Sequence, residues 1–555
     1  MDLLIERQVS FARGMNNAAA PQEFRPDEVE LLLNGRVSFD GMQIEPRGGS
    51  ERTHPTALNS GAQGYGGTEF FTAAGVQQLV VFVGDSMFYS TDQGENWSTG
   101  ATGLPTGYWS LTSFRTGSSN LLICAAGGAG RPYKWDGATW TQLSNAPAGT
   151  KYVQTFNERV YYAGSGTTVT GSKVRDPDII NAPDGFEVQA ETHDGDEIRG
   201  LYQIGGVLMV FKRQSTGYIE GFGYQTLTVE SGPRGISRSV GCVGHRTIAP
   251  AGDQGVCWLS ERGFEFFAIG GAITLISRPI QPFMDGISWS TMIDGEGIPD
   301  ATYWALKNEY FCAIPSASSQ NDYTFRFRPP TNESPPCIML DKHQTAGEAY
   351  TMYVDTSGYL DISLDASKQL VRVVSGYLEV AGPTQAGLYV AQDGDGYVNL
   401  ATVAHDHAVL FHADREADED LSAPFSVGYD GFVRKLEFGT TDNADSTSLN
   451  GEDLRYQVRS RPMVFGDQMR LKQARVLRVQ TAQEADGTVN VSLLADGRSE
   501  TSKDLTVKTS PGGRPVTTKW RTVGRGYALQ VEVSTTGGQT LGAIEVAARQ
   551  LKESW

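Results

Sequence analysis

Cysteine is scarce in this sequence of 555 residues, which contains five cysteines and no pair in a CxxC spacing. An odd number without close pairs argues against a disulfide framework. We therefore predict that the five thiols are reduced core residues of a protein made in a cytoplasm. They are Cys124, Cys242, Cys257, Cys312 and Cys337.

Clusters of basic residues are also lacking. The 46 lysines and arginines are outnumbered by 64 aspartates and glutamates, so the formal charge is 46 − 64 = −18. A protein that grips nucleic acid over a broad face needs clustered cations to displace counterions from phosphates. The composition excludes that class, but it does not exclude DNA passing nearby, because a channel through which DNA slides should not bind it.

Long apolar runs are absent as well, and residues 79–83 are among the longest. This length is far below that of a membrane-spanning helix, and we predict no membrane span. The N-terminal residues 1–7 are charged and lack the apolar stretch of a secretory signal. We therefore expect a protein that is neither exported by a standard signal nor embedded in a membrane.

Motifs for common enzyme chemistry are missing too. The sequence contains no G-x-S-x-G elbow, no Walker loop and no H-E-x-x-H motif. Glycosidase chemistry needs two carboxylates at a set separation, which 64 acidic residues do not reveal. We predict that the protein is not an enzyme and has no catalytic residue, cofactor or metal.

What the sequence does have is glycine, with 65 residues, and aromatic side chains, at 10%. This mixture is typical of many short strands joined by tight turns. Between residues 68 and 412, strand-turn-strand units recur every 40 to 50 residues or so, the spacing of propeller blades. The fold class is therefore predicted to be all-β, with a β-propeller of six to eight blades, some of them irregular.

Two further regions flank the predicted propeller. Residues 1–67 are expected to form an N-terminal arm that docks on a partner protein or a neighbouring subunit, with Asp27 capping a short helix and Glu30 completing a capping box. Residues 413–555 begin with an acidic linker and continue with alternating segments near residues 454, 475, 489 and 528. These segments predict a C-terminal β-sandwich.

One hairpin carries a recognisable motif. Residues 90–97 fit S-x-D-x-G-x-x-W, the Asp-box of sialidase propellers, through Ser90, Asp92, Gly94 and Trp97. The serine and aspartate tie the turn, the glycine permits a positive φ, and the tryptophan packs into the blade. The motif indicates a propeller-like hairpin and has no catalytic role in this interpretation.

Three acidic or histidine-rich stretches resemble metal sites. His405 and His407 lie two residues apart, where a strand would place them on one face, with His412 and Asp414 nearby. A third ligand of assured geometry is missing, so a plain strand is the preferred interpretation. Residues 393–396 and 194–197, both D-G-D stretches, lack EF-hand spacing and are interpreted as tight turns.

Several local patterns, in order along the chain, resemble the tail nozzle or hub proteins of short-tailed bacteriophages, the family of tail tubular protein B and related proteins that stabilise packaged DNA. The first motif opens the chain: residues 14–17, 26–34 and 44–49 match their "GGxNT" turn, short "ExxxLxN" segment and "xxRxG" ending. The second motif is "F-x-x-R-L-Y-x-A-G … S-x-x-x-D-P", which residues 156–164 and 172–178 match. The third is "L-x-V-F-K … V-G-C … L-S-x-x-G", which residues 208–212, 240–244 and 258–263 match. The opening turn departs from the family pattern in having Arg13-Gly14-Met15, and residues 301–400 match poorly.

The resemblance implies a structural virion protein of the phage tail, made in the host cytoplasm. Six copies would form a nozzle ring attached to the adaptor, or head-completion, protein and through it to the portal, with tail fibres or spikes as neighbours. The ring would retain the packaged DNA and form the channel for genome ejection, without binding DNA specifically. The residues of the channel gate are unknown.

Two alternatives stay open. A sialidase-like propeller of a tail fibre or cell surface, binding carbohydrate or another receptor, would account for the Asp-box and the many aromatic residues. A head–tail connecting or tail-tip protein of a long-tailed phage would share the fold and differ in its gene neighbours.

Overall fold

A computed structural model describes most of the chain. The described residues are 3–181, 183–190, 196–221, 228–230, 236–252, 255–287, 289, 292, 298–316, 320–331, 334–342, 350–354, 359–361, 371–374, 377–380, 388–392, 398–402, 407–413, 423–439, 441–442, 444–445, 452–454, 456–467, 469–482, 487–507, 516–535 and 540–551. The fold is all-β, as predicted. Its helical turns, within these ranges, are short: Leu58–Gly61, His245–Thr247, Arg278–Ile280, Gln281–Met284 and Ala305–Lys307. None of the described helices is long and apolar enough to cross a lipid bilayer.

Five antiparallel sheets of four consecutive strands follow one another along residues 64–275, and we call them blades 1 to 5. Blade 1 contains the strands Gly64–Phe71, Gln77–Val83, Ser86–Ser90 and Ser98–Ala101, and blade 2 contains Trp109–Arg115, Asn120–Ala126, Tyr133–Trp135 and Trp140–Gln142. Blade 3 contains Tyr152–Phe156, Arg159–Ala163, Thr168–Gly171 and Phe186–Gln189, and blade 4 contains Ile198–Ile204, Val207–Lys212, Thr216–Glu220 and Thr228–Glu230. Blade 5 contains Ala249–Pro250, Gly255–Ser260, Gly263–Ala268 and Thr274–Leu275.

A sixth sheet, the closing blade, contains Val409–Ala413, Ala423–Val427, Val433–Leu436, Ser50–Arg52 and Ala444–Asp445. The first strands of blades 1 to 4 lie side by side, and the turn His245–Thr247 contacts both the first strand of blade 4 and blade 5. Between blade 5 and the closing blade the circle is completed by Asp300–Trp304, the first strand of a longer sheet, and Val409–Ala413 then returns to Gly64–Phe71. The described chain thus forms a closed propeller from six separate blades and one end of a long sheet.

The second strand of blade 1 shows why the blades form. Every residue of Leu79–Val83 is buried. Leu79, Val81 and Val83 pack in the core shared with the closing blade, whereas Val80 and Phe82 pack in the core shared with blade 2. Because successive strand residues face opposite sides, a continuous apolar run is what a strand between two blades requires.

The C-terminal part is a β-sandwich, as predicted, and it is continuous with the propeller. One layer is the long sheet of ten strands, which in spatial order are Asp300–Trp304, Glu309–Ile314, Tyr323–Arg328, Cys337–Lys342, Gly14–Met15, Glu28–Leu33, Tyr456–Ser460, Leu529–Thr535, Gly487–Ala495 and Arg498–Val507. The other layer has seven strands: Gly35–Val37, Ile44–Pro46, Leu4–Gln8, Thr540–Gln550, Lys472–Ala482, Val516–Arg521 and Arg525–Gly526. Buried aliphatic side chains of both layers form one core.

The N-terminal residues are not a loosely packed arm. Leu4–Gln8 pairs with Thr540–Gln550, and Glu28–Leu33 lies between two strands of the long sheet. The predicted helix after Asp27 is wrong, because the apolar side chains of Glu28–Leu33 are needed by a central strand, and Val29 and Leu32 are fully buried. Ser50–Arg52 pairs with Val433–Leu436 in the closing blade. The first 52 residues therefore connect the propeller and the sandwich.

The expected boundary at residue 412 cuts through the closing blade, since Ala423–Val427 pairs with Val409–Ala413 inside it. Before this blade lies a sheet of six strands: Tyr350–Val354, Tyr359–Asp361, Val371–Val374, Tyr377–Val380, Leu388–Gln392 and Val398–Thr402. A short two-stranded sheet pairs Thr441–Asp442 with Glu452–Asp453. The acidic stretch 414–420 lies outside the described residues.

The five cysteines lie in the core, as predicted, and all of them are free and buried. Burial raises their pKa, to about 12 for Cys242 and Cys337. A thiol is a weak nucleophile when its pKa is raised, so these residues serve as small core side chains.

Candidate functional site

The Asp-box hairpin connects the third and fourth strands of blade 1. Ser90 Oγ donates to Asp92 Oδ1 at 2.7 Å and accepts from the backbone N–H of Gly94 at 2.9 Å. Asp92 Oδ1 also accepts from the N–H of Asn96 at 2.9 Å, and these hydrogen bonds lower the pKa of the Asp92 carboxyl. Gly94 has a φ of 91°. Trp97 packs on the core between blade 1 and the closing blade. These contacts stabilise a turn.

The histidine and acidic candidates are only partly described. His405, Asp414, residues 393–396 and residues 194–195 lie outside the described residues. His407 precedes the first strand of the closing blade, and its carbonyl accepts from Asn321 Nδ2 at 2.8 Å. His412 lies within that strand, opposite Pro424. Among the described residues, no group of three or more His, Cys, Asp or Glu side chains is arranged to hold a metal ion.

A polar cavity lies on the propeller axis, where the first strands of the blades meet. Its volume is about 180 Å³. It is lined by Gly66, Gly67, Thr68, Trp109, Ser110, Leu111, Gln154, Tyr202, His245, Arg246, Ile248, Asp300, Ala301, Val409 and Leu410. Ligand pockets usually measure about 300 to 1,000 Å³, so this cavity is small and suits only a small molecule or a few waters.

A buried ion pair lies in the wall of this axial cavity. Arg246 Nη2 donates to Asp300 Oδ2 at 2.5 Å and to the carbonyl of Ala408 at 3.1 Å. Asp300 Oδ2 also accepts from the backbone N–H of Leu410 at 2.6 Å. The pair therefore joins the entrance to blade 5, the long sheet and the closing blade. Burial nevertheless raises the pKa of Asp300 to about 6, because one arginine and two backbone N–H groups do not fully replace its hydration.

His245 stands beside this pair in the cavity wall. Its Nδ1 is buried and has no hydrogen-bond partner in the part of the chain that the structure describes. Burial and the neighbouring Arg246 lower the pKa of the imidazole to about 4, so His245 is neutral at pH 7. The ring packs against Tyr152, with ring centroids 5.4 Å apart. This histidine therefore brings a polar edge to the axis without adding charge.

Tyrosines surround the outer side of the pair. The guanidinium of Arg246 lies 4.6 Å from the ring centre of Tyr108, a cation–π distance. Tyr108 OH accepts from Gln63 Nε2 at 3.2 Å, and Tyr429 OH accepts from the N–H of Asn321 at 3.2 Å. Burial raises the pKa of both tyrosines, so both hydroxyls stay protonated at neutral pH.

A second, larger cluster of buried charges joins the propeller to the sandwich, and we call it the ionic network. Its centre is Arg326, fully buried, which donates to Glu309 Oε2 at 2.6 Å, Glu437 Oε1 at 2.9 Å and Asp341 Oδ2 at 3.0 Å. Its members are Arg36, Arg47, Arg326, Arg328, Glu309, Asp341, Glu437 and Asp442. Four arginines face four carboxylates, so the network is neutral overall.

Glu309 lies deepest in this network. Arg326, Arg328 and Arg36 all contact its carboxylate. Burial alone would raise its pKa, but the three guanidinium groups lower the pKa to about 2. The charged form is therefore strongly favoured in the folded protein.

Neither the axial pair nor the network was anticipated from the sequence. Arg246 and Asp300 are 54 residues apart, and Arg47 and Asp442 are 395 apart. The sequence carries one signal, because buried strands rarely carry charge, and in Tyr323–Arg328 two arginines alternate with Phe325 and Phe327. That pattern predicts buried carboxylate partners without indicating which ones.

No protein-family model matches the sequence, and no curated protein matches it. Solved structures of similar architecture include the N-terminal domain of Nup159, with 8% identity, 70% of this chain and 95% of that chain covered and a TM-score of 0.30. An exo-β-1,3-galactanase from Phanerochaete chrysosporium has 10% identity over 80% of this chain and 97% of its own, with a TM-score of 0.23.

The extracellular domain of a one-component system from B. thetaiotaomicron has 9% identity, 68% and 51% coverage and a TM-score of 0.32. These similarities are too weak to carry any argument about function. The assignment of the propeller rests instead on the closed circle of blades described above.

Proposed function

We propose that this chain is a structural subunit of the tail of a short-tailed bacteriophage. Six copies form the nozzle ring below the adaptor and portal, retain the packaged DNA and line the route of its ejection. The protein acts through shape and charge and does not catalyse a reaction. The observation that carries the proposal is the way in which the separated parts of each family-like motif contact one another in the fold.

The first motif is the opening turn. Gly14 has a φ of 68°, and a Cβ at this position would lie 2.0 Å from the carbonyl oxygen of Ile338. Only glycine fits, because the turn must approach the long sheet closely at a positive φ. The glycine that matches the family pattern is thus required by the packing.

The second motif lies in blade 3. The N–H of Val160 donates to Ser172 Oγ at 2.9 Å, and Tyr162 OH donates to the carbonyl of Pro177 at 2.6 Å. Arg159 Nη1 donates to the carbonyl of Ser172 at 2.5 Å. The "R-L-Y" part and the "S-x-x-x-D-P" part are therefore one hydrogen-bonded unit, which explains why they occur together.

The third motif joins blades 4 and 5. The N–H of Cys242 donates to the carbonyl of Lys212, and Trp258 Nε1 donates to the carbonyl of Gly241, both at 2.8 Å. A Cβ on Gly241 would lie 2.3 Å from Arg213 backbone atoms. The "V-F-K", "V-G-C" and "L-S" parts thus meet at one blade junction, as a shared architecture with the family would require.

The geometry of the axis also bears on the proposal. A cavity of about 180 Å³, walled by the Arg246–Asp300 pair, has no room for a DNA duplex. In a nozzle the DNA channel would therefore lie between copies, around the axis of the ring. The formal charge of −18 per copy would repel DNA from the wall of that channel, so that the DNA would not bind to it.

The proposal is tested by electron microscopy of virions of the phage that encodes this chain, labelled with antibody fragments raised against it. Fragments raised against the capsid protein serve as the control. Label in a ring under the head, at the base of a short tail, is the expected result. Label confined to fibres, or absent from every particle that the capsid control labels, would overturn it.

A further inference from the structure

The axial cavity has features that the nozzle proposal does not use. Seven elements contribute to its lining, so it is a product of ring closure and not of one loop. The first strand of blades 1 to 4 pairs on one side only. An edge strand leaves alternate N–H and C=O groups without a strand partner. Part of the inner edge is satisfied by side chains of the neighbouring blade, since the N–H of Val153 donates to Ser110 Oγ at 3.1 Å. The cavity is therefore surrounded by backbone and hydroxyl groups rather than by apolar side chains alone.

The charge of the cavity wall is balanced. Arg246 and Asp300 neutralise each other at 2.5 Å, and no other lysine, arginine, aspartate or glutamate is among the lining residues. An anionic ligand would have to compete with Asp300 for the arginine, and a metal ion would find one carboxylate that is already paired. The wall thus favours a neutral ligand over an ion.

The remaining polar lining groups are uncharged. Thr68 and Gln154 carry hydroxyl and amide groups, and His245 is neutral with a buried Nδ1 that has no hydrogen-bond partner among the described residues. The ring of Trp109 does not contribute, because it is stacked on Phe82 in the core between blades 1 and 2. Neutral ligands that carry many hydroxyl groups match such a wall, because each hydroxyl both donates and accepts. A volume of about 180 Å³ limits the ligand to one sugar ring.

We infer that the axial cavity binds one small, neutral, polyhydroxylated molecule, a monosaccharide in size and chemistry. This inference goes beyond the proposed nozzle and does not depend on it, since binding is measured on the purified chain. A ligand with so few non-hydrogen atoms is expected to bind with a Kd of about 1 mM.

The test is saturation-transfer NMR and calorimetry on the full chain with D-glucose, D-galactose, N-acetyl-D-glucosamine and glycerol as neutral probes. Inorganic phosphate and N-acetylneuraminate are the anionic probes. Saturable binding of at least one neutral sugar is expected. Absence of binding by every sugar, or binding of the anionic probes alone, would overturn the inference.

Variants locate the site. Gln154→Trp, which fills the cavity, should weaken sugar binding at least about tenfold, or by 1.4 kcal/mol. Gln189→Trp is the matched control, since Gln189 is exposed on the outermost strand of the same blade, and it should leave binding unchanged. Thr68→Val, which hardly changes volume, should weaken binding a few-fold even if the tryptophan variant does not fold. Equal binding by wild type, Gln154→Trp and Thr68→Val would contradict the axial site.

Discussion

Two buried carboxylates of this protein respond to burial in opposite ways. Asp300, at the propeller axis, has one arginine partner, and its pKa is raised to about 6. Glu309, in the ionic network, has three arginine partners, and its pKa is lowered to about 2. Both are removed from water, so the difference comes from the number of cations that replace the lost hydration.

The two clusters of buried charges differ in how firmly each one holds its carboxylates in the ionised form. The network holds its charges firmly and joins the long sheet, the closing blade and the N-terminal strands into one body. The axial pair leaves Asp300 with a raised pKa in the wall of the axial cavity. The two clusters should therefore contribute differently to stability as the pH changes.

The largest expected effect comes from breaking the network at its centre. Arg326→Met keeps the volume but leaves Glu309, Asp341 and Glu437 without their shared cation. Removal of one partner from a buried ion cluster costs about 3 to 5 kcal/mol. Urea denaturation followed by tryptophan fluorescence should show this loss. An unchanged midpoint would mean that the network contributes nothing to the fold.

A milder change removes one carboxylate. Glu309→Gln keeps a hydrogen-bond acceptor but removes the carboxylate that Arg328 contacts, whereas Arg326 and Arg36 still face Glu437. The change should cost about 2 to 3 kcal/mol at pH 7. The wild-type contribution of Glu309 is present above its unfolded pKa and is lost as pH falls towards 2. The variant should therefore be less sensitive to acid below about pH 4.5. Equal acid sensitivity of wild type and variant would contradict the low pKa.

A substitution in the Asp-box turn, which lies outside both clusters of buried charges, should reduce the free energy of unfolding by a smaller amount. Asp92→Ala removes acceptors for Ser90 Oγ and for the backbone and side-chain nitrogens of Asn96. The expected loss is about 1 to 2 kcal/mol, with the fold retained. Circular dichroism and thermal unfolding measure it. A loss as large as that of Arg326→Met would show that the hairpin has a greater structural role than its hydrogen bonds indicate.

The smallest effect is expected at an exposed ion pair. Arg175 makes two hydrogen bonds to Glu158, but both side chains are more than half exposed. Arg175→Ala should leave the unfolding midpoint unchanged within error, because water replaces the partner. It is therefore the matched arginine control for Arg326→Met. A clear destabilisation would show that burial is not what separates the two arginines.

The sequence predicted those parts of the fold that depend on local pattern. The apolar run of residues 79–83 and the Asp-box hairpin could be recognised from nearby residues, although both pack against the distant closing blade. Glu28–Leu33 was mistaken for a helix because a capping pattern precedes it, whereas its strand pairing involves Tyr456–Ser460, more than 400 residues away. The ionic network and the axial pair depend on such long-range pairing throughout, so no local pattern could indicate their partners.

The most direct test of the comparison is the pH dependence of Asp300. Between its usual pKa of 3.8 and about 6 the folded state binds more protons than the unfolded state, so the contribution of Asp300 to stability falls as pH rises through this range. The change amounts to about 3 kcal/mol. We predict that the free energy of unfolding of wild type minus that of Asp300→Asn decreases by about 2 kcal/mol between pH 4 and pH 7, the larger part of this change. A difference that is flat, or that increases with pH as expected for Glu309, would contradict the account.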